Sequence, residues 1–221
     1  WRFVAVNPVV RAVILGLGTG LIGGAMVVPL GPVISKQVFG AGTAGFGVLL
    51  TALGTGVAIG IVGLSVVQRR LPHERTFVAA LLGSGACLFA AAAMSSLGTA
   101  CVLVAGMGVC AGTVYVLGFS MLQANVEDDL RGRVFATLYT LIRVCALLAF
   151  TLAPLLASLL DSSSRRLVGR PAHMLGFAVA LPGVRLTLWL GGVIIFGAGL
   201  LARHSVRVSQ RAGRRSSDTL A

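Results

Sequence analysis

A chain of 221 residues that is 57% hydrophobic and only 11% charged, with a mean hydropathy of +0.96, is not an ordinary soluble domain. It has the composition of a protein made mostly of membrane-spanning helices. The formal net charge of +12 would point to nucleic acid in a soluble protein, but the basic residues sit between apolar segments and at the tail. They read as a topology signal, with the lipid bilayer and not nucleic acid as the surrounding partner.

Trp1 is not a start methionine, and no signal peptide precedes the first apolar segment, so the chain reads as a piece of a longer one. The first span is expected from about Ala12 to Ile34. It holds Gly16, Gly18, Gly20, Gly23 and Gly24, then Pro29 and Pro32, which can open the backbone ladder as a kink at the helix end or as a bend used in gating. Gly18 to Gly23 spells the dinucleotide fingerprint, but that motif needs a preceding strand and a soluble βαβ unit. A short loop with Lys36 leads to the second span, about Ala44 to Val67, where Thr51, Thr55 and Ser65 fall on nearly one face. Their hydroxyls either line a cavity or bond back to their own helix.

Gln68 to Arg75 forms a compact basic turn, and the third span is expected from about Phe77 to Met94. The short connection Ser95 to Gly98 makes the third and fourth spans an antiparallel hairpin. The fourth, about Thr99 to Leu122, carries Gly108 and Gly112 as a small-residue face for close packing. It also carries Tyr115, whose hydroxyl aims into a cavity or bonds a neighbouring helix.

The run Glu127, Asp128, Asp129, Leu130, Arg131, Gly132, Arg133 leads into the fifth span, about Val134 to Leu160. At about 1.5 Å per residue, Arg143 lies about 14 Å into a hydrocarbon core about 30 Å thick. A charge at that depth must face protein or water. Thr137, Thr140, Arg143 and Thr151 are expected to share a face, with Tyr139 one turn before Arg143. Arg143 is therefore either a structural partner for carbonyls or an acid on another helix, or a direct contact for an anionic or polar substrate.

Asp161 to Arg185 reads as an external loop, with a short hairpin near Phe177 to Leu181. The sixth span is expected from about Leu186 to Ala202, with Trp189 as an interfacial anchor. Residues 204–221 form a basic tail, expected to be disordered and to be solvated or to lie on anionic lipid. The six-span domain thus covers residues 1–203. On the side of the tail lie Arg2, Arg11, Arg69, Arg70, Arg75, Arg131, Arg133, Arg203, Arg207, Arg211, Arg214 and Arg215; opposite lie Lys36, Arg165, Arg166, Arg170 and Arg185. The positive-inside rule places both termini in the cytoplasm and the protein in the plasma membrane.

Absences narrow the chemistry. No carboxylate or histidine falls within an expected span, so the usual proton relay is missing. The four cysteines, Cys87, Cys101, Cys110 and Cys145, have no metal-ligand spacing. Without a phosphate loop, a paired nucleophile and base or a metal cluster, the chain is read as a non-enzyme without cofactor or metal.

Six spans with cytoplasmic ends, a basic turn between the second and third, and an acidic run followed by Arg131-Gly132-Arg133-Val134 before the fifth resemble the C-terminal half of a major facilitator superfamily transporter. The Arg-Gly-Arg-Val run is similar to that of the secretion-effector group. The resemblance implies that the spans are helices seven to twelve of that all-α fold. It also implies a small-molecule substrate bound against a missing N-terminal six-helix half, and transport by alternating access in the direction of efflux. Asp128, Asp129, Arg131 and Arg133 become candidates for a cytoplasmic gate, and Asp129 is also a candidate cap for the fifth span. Gln68 to Arg75 departs from the family by lacking the Gly and Asp of its gating motif. Leu181 to Trp189 is also similar to relatives in which a thymidylate kinase domain follows the last helix, although no kinase motif occurs in this chain. The other reading is a non-transporting six-span anchor or interaction module, tethering a cytoplasmic enzyme domain.

Overall fold

The structure, a computed structural model, describes residues 8–67, 72–126, 128–167 and 183–218. Among them the chain forms α1 (Pro8–Ala25), α2 (Val27–Gln37), α3 (Gly42–Val67), α4 (His73–Ala93), α5 (Leu97–Asn125), α6 (Asp128–Leu167) and α7 (Gly183–Asp218). Six stretches are long and apolar enough to cross a membrane, α1 and α2 together supplying the first, Gly16–Gln37. The fold is an all-α, six-span membrane domain.

The first span is broken in its middle and not at its end. A turn at Met26 separates α1 from α2, three residues ahead of Pro29. Proline has no N–H to complete a helical bond and is best tolerated in a first turn, so the chain restarts its helix just before Pro29 and carries Pro32 inside α2. Gly40 and Gly42, at φ 62° and 58°, then make the turn into α3 in the left-handed region that glycine adopts without strain. The buried Ser35 hydroxyl holds that turn by donating to the Gly42 carbonyl at 2.7 Å.

Elsewhere the helices outrun the apolar segments. His73 to Thr76 are the first turn of α4 and not part of a basic turn, with the Thr76 N–H on the Pro72 carbonyl at 3.0 Å. Because α6 starts at Asp128, Asp129 lies within its first turn and not at the cap. Residues 161–167, expected in an external loop, continue α6, and residues 183–185 open α7. The backbone of residues 204–218, expected as a disordered tail, continues α7. Hydropathy marks only the part of a helix that crosses lipid, whereas backbone hydrogen bonding runs on through residues such as Arg and Gln that favour helix. The expected hairpin near 177–181 and the turn at 68–71 lie outside the described residues.

α4 and α5 form the expected hairpin across Met94, Ser95 and Ser96. Ser96 caps α5, its hydroxyl accepting the Thr99 N–H at 3.3 Å. Replacing Ser96 by Ala should lower the unfolding free energy by about 1 kcal/mol, measured as a lower denaturation midpoint in detergent. An unchanged midpoint would mean that water caps this end as well as the hydroxyl does.

α4 packs on α5 and α7, and α1 packs on α7, α6 and α5. Leu17, Met26, Phe77, Leu117, Leu138 and Ile195 fill the shared core. Half of the spans His73–Ala93 and Gly183–Arg203 is buried, against 22% of Gly42–Val66 and Gly132–Leu160. α3 and α6 are thus the flanks of the bundle. α3 is held by α5, where Gly108 and Gly112 meet Gly56 and Gly60 in a reciprocal seam. A Cβ on Gly56 would fall on the Ala105 carbonyl, one on Gly60 on the Val109 carbonyl and one on Gly108 on the Leu53 carbonyl. Only glycine admits backbones this close.

Candidate functional site

α5 and α6 are consecutive and antiparallel, but each packs chiefly on other helices, α5 on α3 and α4, α6 on α7 and α1. A cavity of about 300 Å³ opens in the bundle, with α1 contributing Gly16, Gly20 and Gly24, α5 contributing Tyr115 and Phe119, and α6 contributing Ile142. The hydroxyl-bearing residues of its lining are Ser84 and Tyr115; the rest is apolar side chain or glycine.

Two aromatic rings, Tyr115 and Phe119, line this space. Tyr115 packs on Phe119 with ring centroids 4.5 Å apart, and Phe119 reaches across to Phe135 at 5.7 Å and Tyr139 at 6.1 Å on α6. Residues four apart on a helix stand one above the other. Tyr115 and Phe119 therefore make one ridge on α5, and Phe135, Tyr139 and Arg143 make another on α6. Tyr115 and Tyr139 are both about half exposed, at 49% and 51%, so their rings remain available to a ligand.

Of the pathway candidates predicted from the sequence, only Tyr115 lines this cavity. It makes no hydrogen bond to a neighbouring helix among the described residues. The candidate threonines lie on the exposed outer faces of α3 and α6, and their hydroxyls bond back to their own helices and line no described cavity. Thr51 donates to the Gly47 carbonyl at 2.9 Å and Thr55 to the Thr51 carbonyl at 2.9 Å. Thr137, Thr140 and Thr151 donate to the carbonyls of Arg133, Ala136 and Leu147 at 2.8, 2.9 and 3.0 Å. At 3.6 residues per turn Thr137, Thr140 and Thr151 lie within about 60° of one another, and Arg143 lies about 60° beyond Thr140, toward the Tyr139 side. Arg143 is exposed and has no hydrogen bond or ion pair to another described residue.

For the gate candidates, Asp128, Asp129 and Arg131 belong to the first turn of α6, and their side chains lie outside the described residues. Arg133 is exposed.

Arg185 is not the loop charge that the sequence implies. It lies in the first turn of α7, is 3% exposed, and donates through Nη2 to the carbonyl of Met94, the C-cap of α4, at 2.9 Å. A second contact reaches the Ser95 hydroxyl at 3.5 Å. A cation at a helix C-terminus satisfies the free carbonyls and the negative end of the dipole. Trp189, expected as an interfacial anchor, stacks on Phe89 of α4 with ring centroids 5.4 Å apart. The signal for this role was thin: an arginine one helical turn before a tryptophan also suits a loop that runs into a span.

The missed cavity residue Phe119 had a better signal. Phe119 stands four residues after Tyr115 on the same side of α5, the spacing of a shared helix face. Together these features define a polytopic helical membrane domain with a half-open cavity. Set against family models, curated proteins and solved structures, the chain has no match.

Proposed function

We propose that this domain moves a small molecule across the membrane by alternating access, as one six-helix half of an exporting secondary transporter of the major facilitator type. The observation that carries the reading is the pair of thinly buried flanks. Only 22% of the α3 and α6 spans is buried, and their free faces bear Thr51, Thr55, Thr137, Thr140, Thr151 and Arg143, which has no partner among the described residues. Lipid is a poor neighbour for a guanidinium near mid-span, where it costs about 3 kcal/mol or more. A second helical body enclosing a watered route suits that face better. The partner is the missing N-terminal half, in the same chain or in a second subunit. Placement in the plasma membrane with cytoplasmic termini rests on the distribution of basic residues. Arg185, capping α4 at the Met94 carbonyl, stays on the outer side with Lys36, Arg165, Arg166 and Arg170, so the bias is unchanged.

Arg143→Met should abolish flux in proteoliposomes while the protein still reaches and folds in the membrane. Function that survives this substitution would favour the non-transporting anchor instead.

A further inference from the structure

We infer that the cavity takes a neutral two-ring aromatic compound carrying one hydroxyl or carbonyl group, its rings in the glycine-lined space and its polar group on Ser84 or Tyr115. The inference rests on reading this cavity as part of the transport route, and it names the class of compound that the route accepts.

Size comes first. An apolar cavity of about 150 Å³ holds benzene, and the space here is about 300 Å³, which suits two fused rings. α1 makes the room. Gly16, Gly20 and Gly24 stand four apart, on one side of that helix, and all three belong to the lining. The nearest atom to a Cβ added at Gly24 is Met107 Cε at 3.8 Å, so a side chain can start there without a clash. Tyr115 and Phe119, with ring centroids 4.5 Å apart, offer a flat ligand edge and face contacts.

Charge comes second. The lining holds no Asp, Glu, Lys, Arg or His. An ionised ligand would leave water there without a counter-charge to offset the loss. Hydrogen bonding comes third. Ser84 is only 6% exposed, and neither its hydroxyl nor that of Tyr115 has a hydrogen-bond partner among the described residues. A buried hydroxyl left unpaired costs free energy, which a ligand group that bonds it recovers. Each hydroxyl can donate or accept, so a ligand hydroxyl and a ligand carbonyl both fit. A sugar or a short peptide carries more polar groups than two hydroxyls can satisfy.

The test uses probes with one ring system, with the protein in nanodiscs of zwitterionic lipid and empty discs as the reference. 2-Naphthol, neutral at neutral pH, should bind saturably. 2-Naphthoate and 2-naphthylmethylammonium should each bind about tenfold more weakly or worse. Naphthalene, which lacks the polar group, should bind about fivefold more weakly, and Ser84→Ala with Tyr115→Phe should weaken 2-naphthol by a similar factor. Gly24→Leu, which fills the space from α1, should abolish saturable binding with an unchanged unfolding midpoint. No saturable 2-naphthol binding, a charged probe binding as well as 2-naphthol, naphthalene binding equally well, or wild-type binding in the Ser84→Ala, Tyr115→Phe double variant would each overturn the assignment. Flux measured in proteoliposomes keeps the two readings apart. Binding of 2-naphthol that Gly24→Leu removes, without flux of any compound, would remove the transport reading and leave the site. Flux of a charged compound without 2-naphthol binding would do the reverse.

Discussion

Gly56→Val combined with Gly60→Val should lower the unfolding free energy by about 3 kcal/mol or more and release α3 from the bundle. Each new Cβ falls on a carbonyl of α5, Ala105 for one and Val109 for the other, and backbone cannot move aside as a flexible side chain can. The sign is informative because intrinsic propensity points the other way: valine is a better helix residue than glycine by about half a kcal/mol. Gly54→Val, on the same helix with nothing within 4 Å of the added Cβ, should therefore be neutral or slightly stabilising. Denaturation in mixed micelles would measure both. If the double variant behaves like Gly54→Val, the seam between α3 and α5 does not exist as described.

Arg185→Ala should cost about 2 kcal/mol, since it leaves the Met94 carbonyl without its charged donor and opens a void where the side chain packed. Arg185→Met refills much of the volume but not the hydrogen bond and should fall between Ala and wild type. Arg185→Lys keeps the charge as a single point donor and should retain more than Met does. A solvated loop arginine, which the sequence alone suggests, would tolerate all three within about 0.5 kcal/mol. The unfolding midpoints of the three variants therefore decide between a helix cap and a topology charge.

The candidate site was legible in part. Tyr115 and the hydroxyl stripes follow from periodicity, which is a property of one helix at a time. Arg143 was found for a similar reason, because a charge inside an apolar run is visible without knowing its neighbours. The cavity was not legible. Its lining takes Gly16 and Gly20 from α1, Ser84 from α4, Phe119 from α5 and Ile195 from α7, residues that nothing in the chain order associates. Glycine in a span reads as packing or bending until the opposing helix is known. Here Gly56 admits a backbone, whereas Gly20 helps to leave a space.

By itself the sequence determined the membrane environment, the six spans, the α4–α5 hairpin and the small-residue face at Gly108 and Gly112, because hydropathy and spacing act along the chain and need no partner. Tertiary structure alone decided that the first span breaks at Met26, that α3 and α6 are the thinly covered flanks, that Gly56 and Gly60 complete the seam, and that Arg185 caps α4. Each of these depends on which backbone groups lie within a few ångströms of each other. Helical periodicity tells which residues share a side, but only packing settles what that side meets.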